Sequence, residues 1–397
     1  MYKLKYELRK WQEEAFKAWL PEMKGIIRVV TGGGKTIFAE LCAAKFLEKR
    51  PDGVIVIIVP TITLQDQWRS SLMAELGVKD TDILTPSGST GATLRRFNIL
   101  VINSARKGLG KAVDASKMML IVDECHRSGS EENSKSLRNI PACAHLGLSA
   151  TPEREQDDGF LQYMQPVLGD VIYSYDYNQA LNDGVICNYE LVNVKVPMTK
   201  EESDTYDEHT KKIARIAAKV KAGTLDKDAL KLALIARARV GVKVKARLGV
   251  SGFLAKQHTS ERTIIFHESI SGCITLEEVL RKNGVNCTIY HSKLSEEIRR
   301  SNLHEFRLGT FNTLITCRAL DEGMNAPETT IAIIASSTTS RRQRIQRLGR
   351  VLRPHKNKTQ ATIYSLYCTS SEEKALQAEA LELQGKVKVS WKETKGK

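Results

Sequence analysis

Short apolar runs alternate along the chain with longer stretches in which apolar residues recur at helical spacing. The runs at 26–30, 54–59, 98–102, 118–122 and 145–148 have the length of buried strands, and 37–47 carries the helical pattern. An amphipathic helix opens at Tyr6–Gln12 and ends near Pro21. Uninterrupted apolar strands separated by helices predict a parallel sheet covered by helices on both faces. A second series of the same kind has strand candidates at 263–266, 287–290, 313–316, 330–335 and 361–366. The expected division is therefore 1–183 for a first α/β domain, 184–258 for a crossing strand and basic helical insert or linker, 259–372 for a second α/β domain, and 373–397 for a basic C-terminal tail, helical past Ser370 and mobile from Lys386 to Lys397.

The insert reads as two long helical stretches. Lys211, Lys212, Arg215 and Lys219 lie in the first, and Arg237, Arg239, Lys243, Lys245 and Arg247 in the second. Two readings stay open: a solvated face on helices packed through Ile213, Ile216, Leu232 and Ile235, or the wall of a nucleic-acid groove.

Composition narrows the class. With 397 residues, 42% of them hydrophobic and 27% charged, the chain has the make-up of a soluble protein of two or three domains. The N-terminus shows no apolar stretch, so no secretory signal is expected. The longest apolar run, 54–59, falls far short of the ~20 residues a membrane helix needs. Eight cysteines occur singly, with no Cys-x-x-Cys pair. That speaks against a disulfide framework and against zinc, and fits a reducing, cytoplasmic or nucleoid-associated setting. A net charge of +14 calls for a polyanionic partner, and nucleic acid is the natural one.

Candidate chemistry begins at Val30-Thr31-Gly32-Gly33-Gly34-Lys35-Thr36, a glycine loop between a strand and a helix. Successive glycines let backbone N–H groups form an anion nest, reinforced by the positive end of the helix. Lys35 would reach the β/γ-phosphates of ATP and the Thr36 hydroxyl would ligate Mg²⁺. The strict pattern has glycine at 29, where this chain has Val29. The run 118–122 leads directly into Asp123-Glu124-Cys125-His126. Paired carboxylates at the end of a buried strand are costly unless they hold a cation or do chemistry. Asp123 is accordingly assigned to Mg²⁺ and Glu124 to the attacking water, while His126 alone reads as a satisfied interfacial histidine.

The Gly-Lys-Thr loop, Asp-Glu-Cys-His and Leu148-Ser149-Ala150-Thr151-Pro152 together resemble the superfamily 2 helicases and translocases in order and spacing. The resemblance runs from Leu8 to about Leu366 and implies two tandem RecA-like domains with a nucleotide cleft between them. It casts Arg9 and Gln12 as the adenine-reading segment, and His126, Ser149 and Thr151 as the link between the nucleotide and the strand-contacting surface. Pro60, Thr61, Gln67, Asn103 and Ser104 would touch nucleic acid from the first domain, and Phe266, His291 and Thr316 from the second. Gly323 would approach the nucleotide closely, and Asn325 stands where many relatives carry aspartate. Arg344, Arg347, Arg350 and Arg353 recur every three residues. Arg350 and Arg353 resemble arginine fingers for the γ-phosphate, with Gln346 nearby; guanidinium forks suit that task.

The resemblance implies an ATP-dependent, nucleic-acid-stimulated hydrolase. Within the superfamily the motifs are most similar to the XPB-type repair helicases, phage branch-migration helicases and restriction motors. DNA is thus favoured over RNA as the partner, in repair, recombination or replication, with room for a partner protein or a viral origin. An RNA helicase, or an ATP-gated clamp that does not separate strands, is the alternative.

Overall fold

The computed structural model describes residues 2, 4–86, 93–109, 114–153, 158–317, 328–336, 358, 360–385 and 387–394. The chain divides into two compact units, Met1–Ile186 and Cys187–Lys397. Among the described residues each unit carries one seven-stranded sheet, and every strand pair in both is parallel.

The first sheet contains β1 (Lys24–Val29), β2 (Val54–Val59), β3 (Ile83–Leu84), β4 (Phe97–Val101), β5 (Met118–Asp123), β6 (Ala144–Ser149) and β7 (Val171–Tyr175). Their spatial order is β3-β4-β2-β5-β6-β1-β7. All six residues of β5 are buried, as expected for a central strand covered on both faces. Ile26, Val56, Ile58, Leu120 and Val122 from β1, β2 and β5 pack into one core with Leu137, Met164 and Leu168.

The second sheet contains β8 (Asn188–Lys195), β9 (Thr263–His267), β10 (Cys287–Tyr290), β11 (Thr313–Cys317), β12 (Ile331–Ile334), β13 (Gln360–Tyr367) and β14 (Lys388–Glu393). Its order is β10-β11-β9-β12-β13-β8-β14. Two expectations change here. The crossing segment is β8, a strand of this sheet paired along its full length with β13. The tail expected to be mobile supplies β14, which extends the sheet beyond β8. Asn188, Glu190, Asn193 and Lys195 interrupt the apolar run of this strand, which is why the segment reads as a crossing from sequence alone.

The helical insert lies between β8 and β9, inside the second unit, and has three helices where two were expected. Lys200–Lys221 and Lys227–Val242 are separated by a turn in which Gly223 takes φ +73°. Lys245–Gln257 follows Val244, which is fully buried. This third helix contributes Leu254 and Ala255 to the core of the second unit, whereas Lys200–Lys221 buries no residue. Arg247, expected on a basic face, is instead enclosed. Its Nε donates to the Gly241 carbonyl at 2.8 Å, and its Nη1 to the carbonyls of Ala335 at 3.0 Å and Leu366 at 2.6 Å. Its Nη2 reaches Cys368 Sγ at 3.0 Å and Glu372 Oε1 at 2.6 Å. All five guanidinium donors are satisfied, the condition under which a buried arginine is tolerable. No helix among the described residues is long and apolar enough to cross a membrane.

Candidate active site

In the first sheet β5, β6 and β1 lie side by side, so the loops at their carboxyl ends converge where open α/β sheets bind ligands. The loop after β1 turns through Gly32 at φ +87° and Gly34 at φ +100°, left-handed values that require glycine. Gly33 is needed for space: a Cβ there would lie 2.6 Å from Val29 Cγ1. Val29 is the buried last residue of β1, so the later glycines make the turn that the strict pattern assigns to position 29. Gly34 then opens the helix Lys35–Lys49. The buried Thr31 hydroxyl has no protein partner, an open polar atom inside a loop otherwise suited to an anion.

Arg9 and Gln12 brace this loop. Arg9 Nη1 donates to the Gly33 carbonyl at 2.8 Å, and Gln12 Nε2 to the Gly34 carbonyl at 3.1 Å. Gln12 Oε1 accepts the Arg9 backbone N–H at 2.9 Å, so both ends of its amide are engaged. In this conformation Gln12 supports the loop.

Asp123 closes β5. Its Oδ1 accepts the Glu124 backbone N–H and its Oδ2 the Trp68 indole N–H, each at 2.9 Å. Burial pushes the Asp123 carboxyl upward, Glu124 adds to the rise, and Lys35 and the Trp68 hydrogen bond oppose it. Glu124 takes φ +48°, a left-handed conformation uncommon for a residue with a side chain, and leads into the turn Cys125–Ser128. Its Oε1 lies 3.6 Å from Lys35 Nζ and its Oε2 3.4 Å from His126 Nδ1. His126 Nδ1 is in turn 3.0 Å from Ser149 Oγ, and that oxygen accepts the Thr151 N–H at 3.1 Å. A polar path therefore runs from the loop lysine through the carboxylate to the end of β6. Cys125 is buried in the core, which pushes its thiol upward and makes it a poor nucleophile.

No cluster of three or more His, Cys, Asp or Glu residues suited to a metal ion occurs among the described residues. A Mg²⁺ that travels with a nucleotide needs only one or two protein oxygens, the rest coming from phosphates and water. Asp123 with the half-buried Thr36 in the first helical turn fits that demand.

The remaining sequence candidates are placed unevenly. Pro60 and Thr61 precede the helix Ile62–Glu75, and Thr61 Oγ1 caps it by accepting the Leu64 N–H at 3.4 Å. Gln67 and Asn103 are exposed and Ser104 is half-buried. Phe266 is a correction: it is 2% exposed within β9, a core side chain not available to a strand of nucleic acid. His291 follows β10 and Thr316 lies within the adjacent β11; both are buried, with His291 Nδ1 and Thr316 Oγ1 lacking protein partners. Gly323, Gln346, Arg350 and Arg353 lie outside the described residues. Trp68, Gln65 and the enclosed Arg247 were not singled out for their structural roles, because their partners are distant in sequence. Gln65 Nε2 donates to the Ile99 carbonyl at 2.6 Å, across 34 positions.

Residues 5–154 match the family model for the type III restriction enzyme res subunit, and residues 245–355 that for the helicase conserved C-terminal domain. The chain is 28% identical over 372 residues to the "DNA 3'-5' translocase XPB2" of Sulfurisphaera tokodaii, covering 89% of this chain and 80% of that protein. It is 24% identical over 374 residues to "Putative helicase 22" of Sulfolobus islandicus filamentous virus, covering 90% of this chain and 64% of that one. A Rad25-type relative of Haloarcula marismortui, "Putative DNA 3'-5' helicase Rad25", is 26% identical, and the chain spans 51% of its length. The solved structure "S. cerevisiae Dbp5 bound to RNA and ADP BeF3" has the same fold, with a TM-score of 0.67 at 15% identity over 97% of this chain and 89% of that one. Two tandem RecA-like units, the two matched models and relatives spanning nearly the whole chain place the protein in superfamily 2 of the helicases and translocases, beside the XPB and Rad25 types.

Proposed function

We propose that the protein is an ATP-driven motor on DNA, moving along one strand in the 3'–5' sense that its XPB-type relatives are named for, in repair, recombination or replication. The observation that carries this reading is the path Lys35–Glu124–His126–Ser149–Thr151, which joins the phosphate loop to the end of β6. In this reading Lys35 leaves Glu124 for the β/γ-phosphates when ATP enters. Asp123 and Thr36 would hold Mg²⁺, which would supply charge neutralisation for the phosphates of ATP. Freed from Lys35, Glu124 orients the attacking water and accepts its proton. His126 senses the change at Glu124 Oε2, and Ser149 exchanges partners between His126 and the Thr151 backbone. By the family resemblance Arg350 and Arg353 are assigned to the γ-phosphate as arginine fingers and Gln346 to the same task. Pro60, Thr61, Gln67, Asn103 and Ser104 meet the phosphate backbone, which positions a strand without reading its sequence. The net charge of +14 supports a polyanionic track.

The test is steady-state ATPase at one fixed salt concentration with single-stranded DNA, duplex DNA, branched DNA and RNA. Strong stimulation by DNA, largest for duplex or branched forms, is the expected result. Stimulation by RNA alone would overturn the choice of substrate, and equal turnover with and without nucleic acid would overturn the motor.

A further inference from the structure

The helix Ile62–Glu75 connects two parts of the site that the mechanism above treats separately. It starts at Thr61, where the first unit is proposed to meet a strand of DNA, and its buried face carries Gln65, Trp68 and Leu72. Gln65 fastens its first turn to the Ile99 carbonyl of β4, and one turn further the Trp68 indole reaches Asp123. Trp68 is 1% exposed, and Asp123 lies 55 positions away in sequence. The indole N–H can only donate, so this contact holds Oδ2 in one orientation. The Glu124 N–H fixes Oδ1 in the same way, and each oxygen keeps lone pairs free for a cation. Carboxylates otherwise rotate easily about their terminal torsion.

We propose that Trp68 is a positioning residue for the ATPase reaction: its indole sets the Asp123 carboxylate for the metal of Mg–ATP and ties it to the helix that begins at the strand-contacting Thr61. A shift of that helix when DNA binds thereby reaches the metal-holding oxygen directly, in parallel with the His126–Ser149 path. The inference rests on the nucleotide-site reading above. Partners that orient a metal-holding side chain commonly alter metal affinity by ~10-fold or more when removed.

The test uses the full chain and a fluorescent non-hydrolysable ATP analogue, with affinity measured in saturating Mg²⁺ and in EDTA. The ratio of the two affinities reports the metal's contribution. Trp68→Phe keeps most of the packing and removes the N–H, and should lower that ratio about 10-fold while leaving the EDTA affinity unchanged. Leu72→Ala, on the same buried face, lowers the melting temperature but should keep the wild-type ratio. DNA stimulation of turnover should fall in Trp68→Phe and persist in Leu72→Ala. A wild-type ratio in Trp68→Phe, or an equal loss in Leu72→Ala, would overturn the proposal. Lys35→Ala separates the two levels: if it keeps wild-type turnover the site reading itself fails, whereas if it loses turnover and Trp68→Phe keeps the ratio, only the role of Trp68 fails.

Discussion

Glu124 shows how much depends on a single backbone conformation. Its left-handed φ of +48° ends β5 sharply, and its carboxylate lies between Lys35 and His126. Ser149 is the next member of that path, and its Oγ is where His126 and the Thr151 backbone meet. Ser149→Ala should therefore leave ATP affinity near wild type while sharply lowering strand displacement per ATP hydrolysed, read by parallel ATPase and fluorescence unwinding assays. A second residue, Glu40, concerns stability. It is fully buried in the helix Lys35–Lys49, and burial lifts its carboxyl to about 7, with Glu75 adding to the rise and Ser71 opposing it. The folded form thus binds this proton more tightly than the unfolded chain. Below the unfolded value near 4.5 the group is protonated in both states and contributes nothing. Stability is lost as pH rises from there to about 7, and the full penalty persists above. Glu40→Gln should be neutral at pH 4 and stabilising at pH 8 by on the order of 2–3 kcal/mol, measured by urea unfolding at both values.

At the scale of elements, the strands that carry the loops were legible because a buried parallel strand leaves an uninterrupted apolar run. Met118–Asp123 and Val54–Val59 are such runs. Legibility failed where a strand lies near a sheet edge. The segments of β8 and β14 mix polar and apolar residues, since fewer of their side chains face the core. It failed again in the helical insert, where charge periodicity says nothing about which cation is enclosed. Arg247 binds three elements through backbone carbonyls, and no pattern in its own neighbourhood announces them. Removing it takes the guanidinium donor from Glu372 Oε1 and from three carbonyls, so Arg247→Ala should destabilise the second unit by about 3–5 kcal/mol. In a denaturation curve followed by far-UV circular dichroism, that loss should appear as an earlier transition, with nucleotide-analogue binding by the first unit retained. The residues of the proposed nucleotide site stand out most clearly in the sequence. Phosphate, metal and water each call for a particular residue type at a strand end, and the glycine loop and the Asp123-Glu124 pair are each a compact run that shows itself in sequence. Trp68 escaped notice because a lone tryptophan on a helix belongs to no such run.

On the scale of the whole molecule, one chain carries a glycine loop, a paired-carboxylate strand end and a polar path between them on one sheet, and among the described residues a second parallel sheet of seven strands. The basic balance of the chain and its position among the XPB and Rad25 types give that machinery its expected track, DNA. The central claim is that Lys35 and Glu124 power nucleic-acid-stimulated hydrolysis. Its most direct test is ATP binding and steady-state turnover, with and without duplex DNA, for the wild type, Lys35→Ala and Glu124→Gln. Lys35→Ala should lose turnover altogether, and Glu124→Gln should bind ATP while hydrolysis stops in the presence or absence of DNA. Wild-type turnover in either variant would contradict the account.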